Sequence, residues 1–265
     1  MRNVLVWSTA WTVAATVGLL WSQPAQAQWG TIKGQVTLTG DFTSLKLLVK
    51  KDDATVKDPA VCAADNIQDE SLVVDPTTKG VANVVIWLTK KPTKEGEKPE
   101  PMKIHPSLVK SAKPVVDFDQ KGCKFIPHIL LVRTDQKVRV LSADAIAHNT
   151  HTYPIKNKGE NVIVAPSDRV GVVFPSVTIE ERLPHQVKCD IHPWMQAYWV
   201  VLDHPYAAVT NEKGEFEIAN VPDGEQTFVV WQEKSGYINK KLVVKVKAGE
   251  NKLPPITVTA ADFDK

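Results

Sequence analysis

The stretch VKCDIHPWMQAYWVV, residues 187–201, places a thiol, an imidazole and a thioether within seven positions. These groups belong to Cys189, His192 and Met195, in a chain that has three cysteines and three methionines in total. A thiolate at the end of a strand can share a metal ion with donors three and six residues later if the loop between them is tight. Pro193 stiffens that loop. The stretch therefore predicts a metal-binding loop followed by a β-strand.

A second imidazole comes from the upstream stretch ADAIAHNTH, residues 143–151, which contains His148 about 40 positions before Cys189. Two imidazoles and a thiolate in a trigonal arrangement, with a weak axial thioether, are the donors of a type 1 copper site. The predicted metal ligands are thus His148, Cys189, His192 and Met195. The expected cofactor is one type 1 copper ion.

Two other interpretations of these residues stay open. Structural zinc would use a closed tetrahedral set such as His185, Cys189 and His192 with one further donor, and would leave Met195 without a role. A degenerate site that holds no metal is the other alternative.

The stretch KFIPHILLVRTDQKVRVLSADAIAHNTH, residues 124–151, together with residues 187–201 resembles the cupredoxin family. The short Cys-x-x-His-x-x-Met spacing is most similar to that of the amicyanins. The resemblance covers residues 114–202 and implies a Greek-key β-sandwich with copper at one end. Two departures are the lack of a glycine in the turn RTDQK, residues 133–137, and the additional imidazoles of His151 and His185.

The resemblance also implies roles for residues beside the metal. Asn149 matches the position whose backbone donor bonds the ligand sulfur. His192 matches the partly exposed imidazole through which electrons pass. Pro193 belongs to the same ligand loop.

The flanking segments consist of alternating strands. GTIKGQVTLTG, residues 30–40, and VTNEKGEFEIANVPDGEQTFVV, residues 209–230, have the period of two of half-buried strands, with turn residues between them. They resemble the strands of transthyretin-like, or carboxypeptidase-regulatory-like, β-sandwiches. NVVIWL, residues 83–88, is apolar on both faces and suits a central strand. The chain is therefore expected to be all-β.

We expect a cupredoxin domain joined to, or inserted in, a second small sandwich. The polar run KKPTKEGEKPEP, residues 90–101, is a loop or boundary. The predicted segments are a signal peptide, an N-terminal β segment, the cupredoxin domain and a C-terminal β segment, at residues 1–27, 28–101, 102–203 and 204–265. The alternative is that both flanks extend the cupredoxin sheets.

The N-terminus predicts export. Arg2 precedes an apolar run, and Ala25 and Ala27 form a small-x-small cleavage site. An uncleaved anchor is the alternative, and no membrane span is expected after signal removal. The exported chain would be periplasmic or secreted. The formal net charge of +2 gives no electrostatic basis for nucleic-acid binding.

Three cysteines are an odd number for an exported protein, in which free thiols tend to pair. The economical solution is a disulfide between Cys62 and Cys123, with Cys189 kept as a thiolate by the metal. In the other solution any two cysteines pair and the third is buried.

These observations predict an electron-transfer protein rather than an enzyme that turns over a substrate. The partners would be a redox protein donor and a redox protein acceptor. The chain lacks the His-x-His pairs of multicopper oxidases, a nucleophile elbow and a phosphate-binding loop. The alternatives are a copper-delivery protein, and a β-sandwich that binds a partner or glycan and has a structural metal site.

Overall fold

The computed structural model describes residues 29–40, 46–90, 101–174 and 177–263. The predicted signal peptide, residues 1–27, and residues 91–100 of the predicted linker lie outside the described residues. The predicted all-β class is confirmed, because strands dominate the described ranges. Within those ranges, no helix has the length and apolar character that crossing a bilayer requires.

The strands of the described ranges are numbered in chain order. They are β1 (Trp29–Thr39), β2 (Leu47–Val49), β3 (Ile67–Gln68), β4 (Val85–Leu88), β5 (Val115–Gln120), β6 (Phe125–Ile126), β7 (Ile129–Arg133), β8 (Lys137–Ser142), β9 (His148–Thr152), β10 (Asn161–Val164), β11 (Val172–Val173), β12 (His185–Lys188), β13 (Gln196–Leu202), β14 (Ala207–Val209), β15 (Glu215–Pro222), β16 (Gly224–Gln232), β17 (Gly236–Val246), β18 (Gly249–Lys252) and β19 (Ile256–Thr259). One helical turn, α1 (Pro59–Cys62), and two 3-10 turns, Pro106–Leu108 and Ala260–Asp262, accompany them.

The middle of the chain forms a two-sheet sandwich. One sheet has the order β10-β9-β12-β13-β7 and the other the order β11-β8-β5-β6. β13 runs parallel to β7, and β5 runs parallel to β8, so neither pair is a simple hairpin. Between the sheets, Trp199 packs edge-on against Phe118 and Phe174, with ring centroids 5.3 Å away in each case. This core supports the strands that carry the predicted ligands.

The flanking segments share two further sheets. β1, from the N-terminal flank, pairs with β15, β18 and β19 from the C-terminal flank. The other sheet has the order β14-β4-β16-β17, in which β4 is buried along its whole length. The prediction that NVVIWL contains a central strand is therefore confirmed. In the β1–β15 pair, Gly34 leaves room for the ring of Phe216, since a Cβ at position 34 would lie 2.6 Å from that ring.

We call the middle sandwich the middle body and the sheets of the flanking segments the flanking body. The two bodies meet through apolar side chains of their adjoining sheets. Trp87 and Trp231 of the flanking body form one buried cluster with Ile129, Val200 and Leu202 of the middle body. A buried polar pair at the same junction joins His128 Nε2 to Glu233 Oε1 at 2.5 Å. Glu233 lies in the β16–β17 turn of the flanking body, so this pair joins the two bodies.

Residues 47–68, which we name the cap, pack on the middle body. Val49, Cys62 and Ile67 belong to the same buried cluster as Trp199. The short strands β2 and β3 pair with each other inside the cap. The structure therefore places this part of the N-terminal segment against the ligand loop rather than in the flanking sheets.

Candidate metal centre

Two neighbouring strands and one loop bring the predicted ligands together. His148 is the first residue of β9, and Cys189 directly follows β12, which pairs with β9. In β12 the buried positions alternate, so that Val187 and Cys189 both face the interior. The loop that follows is closed by two backbone hydrogen bonds, from Cys189 N to Met195 O at 3.2 Å and from Met195 N to His192 O at 2.9 Å.

His148, Cys189 and His192 form a buried cluster whose ligand atoms all lie within 4.8 Å of one another. The two imidazole Nδ1 atoms are 2.9 Å apart, and Cys189 Sγ lies 3.7 Å from the Nδ1 of His192. Two basic nitrogens at this separation must share a proton or face a common cation. The three donors therefore suit a small cation placed between them.

The Nε2 atom of each imidazole lies within hydrogen-bond distance of a carboxylate. His148 Nε2 lies 2.9 Å from Asp144 Oδ2, and His192 Nε2 lies 3.0 Å from Asp58 Oδ2. When Nε2 donates to a carboxylate, the tautomer is fixed and Nδ1 becomes the free basic nitrogen. Both Nδ1 atoms then face the centre of the cluster, as metal ligands require.

Sequence reasoning assigned no role to these two carboxylates. Asp144 stands four residues before His148 in the stretch used to find that ligand, so a local signal was present. Asp58 lies 134 positions before His192 and belongs to a polar loop, so only the folded structure brings it to the site.

The charges inside the cluster favour a thiolate. Burial raises the pKa of the Cys189 thiol, but hydrogen bonds from His148, His192 and the Asn149 backbone outweigh this effect and lower the pKa to about 6. For His148, burial lowers the pKa, but hydrogen bonds with Asp144 and Cys189 outweigh this effect and raise the pKa to about 9. The site therefore stabilises a negative sulfur beside positive charge, which is the charge pattern that a thiolate-bound cation creates.

The remaining predicted residues also lie at this site. Asn149 Oδ1 accepts from Cys189 Sγ at 3.3 Å and from the backbone N–H of Asp190 at 2.7 Å. The Met195 side chain is buried in the same apolar core as Cys189. Pro193 lies exposed in the loop between the two sulfur residues. Asn149 thus fixes the conformation of the ligand loop as well as contacting the sulfur.

The expectation that His192 presents an exposed edge is wrong. Its side chain is 0% exposed, because Asp58 of the cap covers Nε2 and the Trp194 ring lies 5.4 Å away. The resemblance could not reveal this cover, since the cap lies outside the residues on which the resemblance rests.

The two additional imidazoles take no part in the cluster. His151 faces the surface, where Nδ1 lies 3.1 Å from Asp190 Oδ2 and its ring stacks on Tyr153. His185 is buried beside Trp199, and burial lowers its pKa to about 4. In the described ranges, His185 belongs to none of the groups of close ligand atoms, so the zinc set of His185, Cys189 and His192 is not assembled.

A second group of possible ligands comprises Glu180, Asp203 and His204. The Lys90 ammonium lies 2.7 Å from Glu180 Oε2 and 2.6 Å from Asp203 Oδ2. It already supplies the positive charge that this group needs, so the group acts as an ion-pair network.

The predicted disulfide between Cys62 and Cys123 is confirmed, and it closes a loop of 61 positions. Cys189 is the free and buried cysteine of the described residues, as the economical solution requires. A structural disulfide is typical of oxidising compartments.

The donor set fits copper. A thiolate and two imidazoles suit both Cu(I) and Cu(II). Met195, at the end of the same loop, is buried in the apolar core that also contains Cys189. The carboxylates behind both imidazoles are the outer contacts that metal-binding histidines usually have.

Comparison with known proteins gives local likenesses. No protein-family model and no curated protein matches the chain. Reduced amicyanin is 18% identical over 33% of this chain and 82% of its own, with a TM-score of 0.29. A Cu(I) form of an amicyanin variant covers 36% and 88%, with 18% identity and a TM-score of 0.29. The copper-containing nitrite reductase of Thermus scotoductus covers 42% and 25%, with 17% identity and a TM-score of 0.27. At these TM-scores, fold and function must rest on the strands and contacts described above.

Proposed function

We propose that this protein is an exported one-electron carrier with a type 1 copper centre. His148 Nδ1, Cys189 Sγ and His192 Nδ1 would hold the copper, and the Met195 thioether would be the weak fourth donor. The observation that carries the proposal is the convergence of three buried donors whose two imidazoles are each fixed by a carboxylate. Bound copper would supply the Cu(II)/Cu(I) couple.

The residues around the cluster limit rearrangement during electron transfer. Asp144 and Asp58 fix the two rings, and Asn149 fixes the start of the ligand loop through the Asp190 N–H. Ligands held in this way would have little freedom to move when bound copper changed its oxidation state.

The burial of the site favours a carrier over the two alternative functions. A delivery protein must expose its ion to a recipient, whereas His148 and His192 are both 0% exposed. An enzyme needs an open position for substrate, whereas both imidazoles are buried and Asp58 of the cap covers the His192 side. The donor and acceptor are proposed to be other redox proteins, and the disulfide together with the N-terminal sequence supports export.

An optical spectrum of the chain from residue 28 with added Cu(II) tests the proposal. We expect an intense blue thiolate-to-copper band that ascorbate bleaches and that is absent in Cys189→Ser. His148→Gln and His151→Gln form a matched pair, because they lie three positions apart on β9 and only His148 belongs to the cluster. The band should be lost in His148→Gln and retained in His151→Gln. A colourless wild-type protein would refute the type 1 assignment.

A further inference from the structure

The cap closes the metal centre on the side of His192. Asp58 Oδ2 lies 3.0 Å from His192 Nε2, and the Asp58 side chain is 33% exposed while that of His192 is 0% exposed. The carboxylate therefore lies between the imidazole and the solvent. Any molecule that approaches from this side meets Asp58 before the ring.

Local structure holds the Asp58 carboxylate in place. Asp58 has φ 53° and ψ 54°, in the left-handed region that few residues other than glycine adopt. Its carbonyl accepts hydrogen bonds from Val61 N at 3.1 Å and Cys62 N at 3.0 Å, and Pro59 opens the helical turn α1. The turn thus fixes Asp58 relative to Cys62, which lies at its other end.

The disulfide connects this turn to the support of the other imidazole. Cys62 is bonded to Cys123, whose backbone N–H donates to Asp144 Oδ2 at 2.9 Å. The same oxygen lies 2.9 Å from His148 Nε2. One covalent bond therefore joins the segment that holds His192 to the segment that holds His148.

We propose that Asp58 is a positioning residue for His192 and that the cap, residues 47–68, is a clamp that orients this ligand and seals the centre from solvent. The part of this inference that concerns copper rests on the proposed function. An imidazole that donates to a carboxylate is a stronger base, so Asp58 should favour Cu(II) over Cu(I) and strengthen copper binding. The cap should also keep reagents away from His192.

Asp58→Asn and Asp52→Asn in the full chain provide a matched test. Both residues are aspartates of the cap with positive φ, at 53° and 61°, and asparagine tolerates this conformation. We expect Asp58→Asn to weaken Cu(II) binding by about 10- to 100-fold in competition with a chelator. It should also raise the reduction potential, whereas Asp52→Asn should match the wild type in both measurements. Asp58→Glu should recover part of the affinity.

Modification of histidines by diethyl pyrocarbonate, located by mass spectrometry, tests the seal without copper. His192 should be protected in the wild type and Asp52→Asn, and it should react in an Asp58→Ala variant whose circular dichroism matches the wild type. Unchanged affinity and potential in Asp58→Asn would overturn the positioning role. Ready modification of wild-type His192 would overturn the seal. Failure of the proposed function would instead appear as a wild-type protein without the blue band.

Discussion

Asp144 accepts hydrogen bonds both from His148 and from the turn that contains Cys123. Its Oδ2 lies 2.9 Å from His148 Nε2, while the backbone N–H groups of Gly122 and Cys123 donate to its two oxygens at 2.6 and 2.9 Å. Burial raises the pKa of this carboxyl, but these hydrogen bonds outweigh burial and lower it. Asp144 therefore stays ionised and fixes both the ring and the turn that contains Cys123.

The Asp144→Asn variant should lose metal affinity. The amide retains the size of the carboxylate but removes the charge, and its NH2 group repels one of the N–H donors. Replacing a residue that hydrogen-bonds to a metal ligand typically lowers metal affinity about 10- to 100-fold. The lost hydrogen bonds should also cost about 1–3 kcal/mol of folding free energy. Chelator competition and urea unfolding measure the two effects.

Asp117→Asn is the control for Asp144→Asn. Asp117 forms an exposed ion pair with Arg139 at 2.7 Å, and such surface pairs contribute at most about 1 kcal/mol. This variant should keep wild-type copper affinity. Equal affinity in both variants would contradict the role assigned to Asp144.

Removal of the disulfide should destabilise the fold and loosen the centre together. For a loop of 61 positions, the chain-entropy model gives about 4 kcal/mol of stabilisation. The Cys62→Ser, Cys123→Ser double variant should therefore unfold at lower urea concentration. It should also bind copper less tightly, because Asp58 loses its anchor. If the double variant retained wild-type affinity while its stability fell, the disulfide would support the fold alone.

The sequence could predict that His148, Cys189 and His192 come together because the relevant signals are local. Cys189, His192 and Met195 lie in one loop, and His148 lies in a motif at the start of a strand. The strand alternation likewise predicted an all-β chain, and the buried run containing β4 predicted a central strand. These inferences need only neighbouring residues, whose spacing directly determines which side chains share a face.

The covering of His192 could not be predicted in this way. Asp58 and His192 are 134 positions apart, and the contact between them depends on how the cap docks through Cys62. The cap residues have no strong apolar period, so nothing local indicates which body they join. The sequence predicts the pairing of Cys62 with Cys123, but only the folded structure reveals how this disulfide connects the supports of the two imidazoles.

Replacement of the Met195 thioether, the proposed axial donor, should change the potential more than the fold. Met195 is 2% exposed, and leucine has a similar volume, so Met195→Leu should cost less than about 1.5 kcal/mol. The variant should still bind copper, because three donors remain, and its potential should rise because the axial donor is lost. Redox titration of the blue band measures this shift, and an unchanged potential would count against Met195 as the axial ligand.

Stability should fall as the pH is lowered from about 6.5 to about 4, in part because of His185. Burial lowers its pKa to about 4, below the value near 6.5 expected in the unfolded chain. Between these values the unfolded state binds the extra proton, so this contribution is complete above pH 6.5 and is lost as the pH falls to 4. The difference corresponds to roughly 3 kcal/mol.

Urea unfolding of metal-free protein at pH 7 and pH 4.5 measures this contribution. The His185→Leu variant should lose less stability between the two pH values than the wild type. His204→Leu is a matched comparison, because burial also lowers the pKa of His204 to about 4 at a site in the other part of the fold. It should reduce the pH dependence to a similar extent, and the double variant should reduce it further. If His185→Leu kept the full wild-type pH dependence, His185 would not enter the fold as a neutral imidazole.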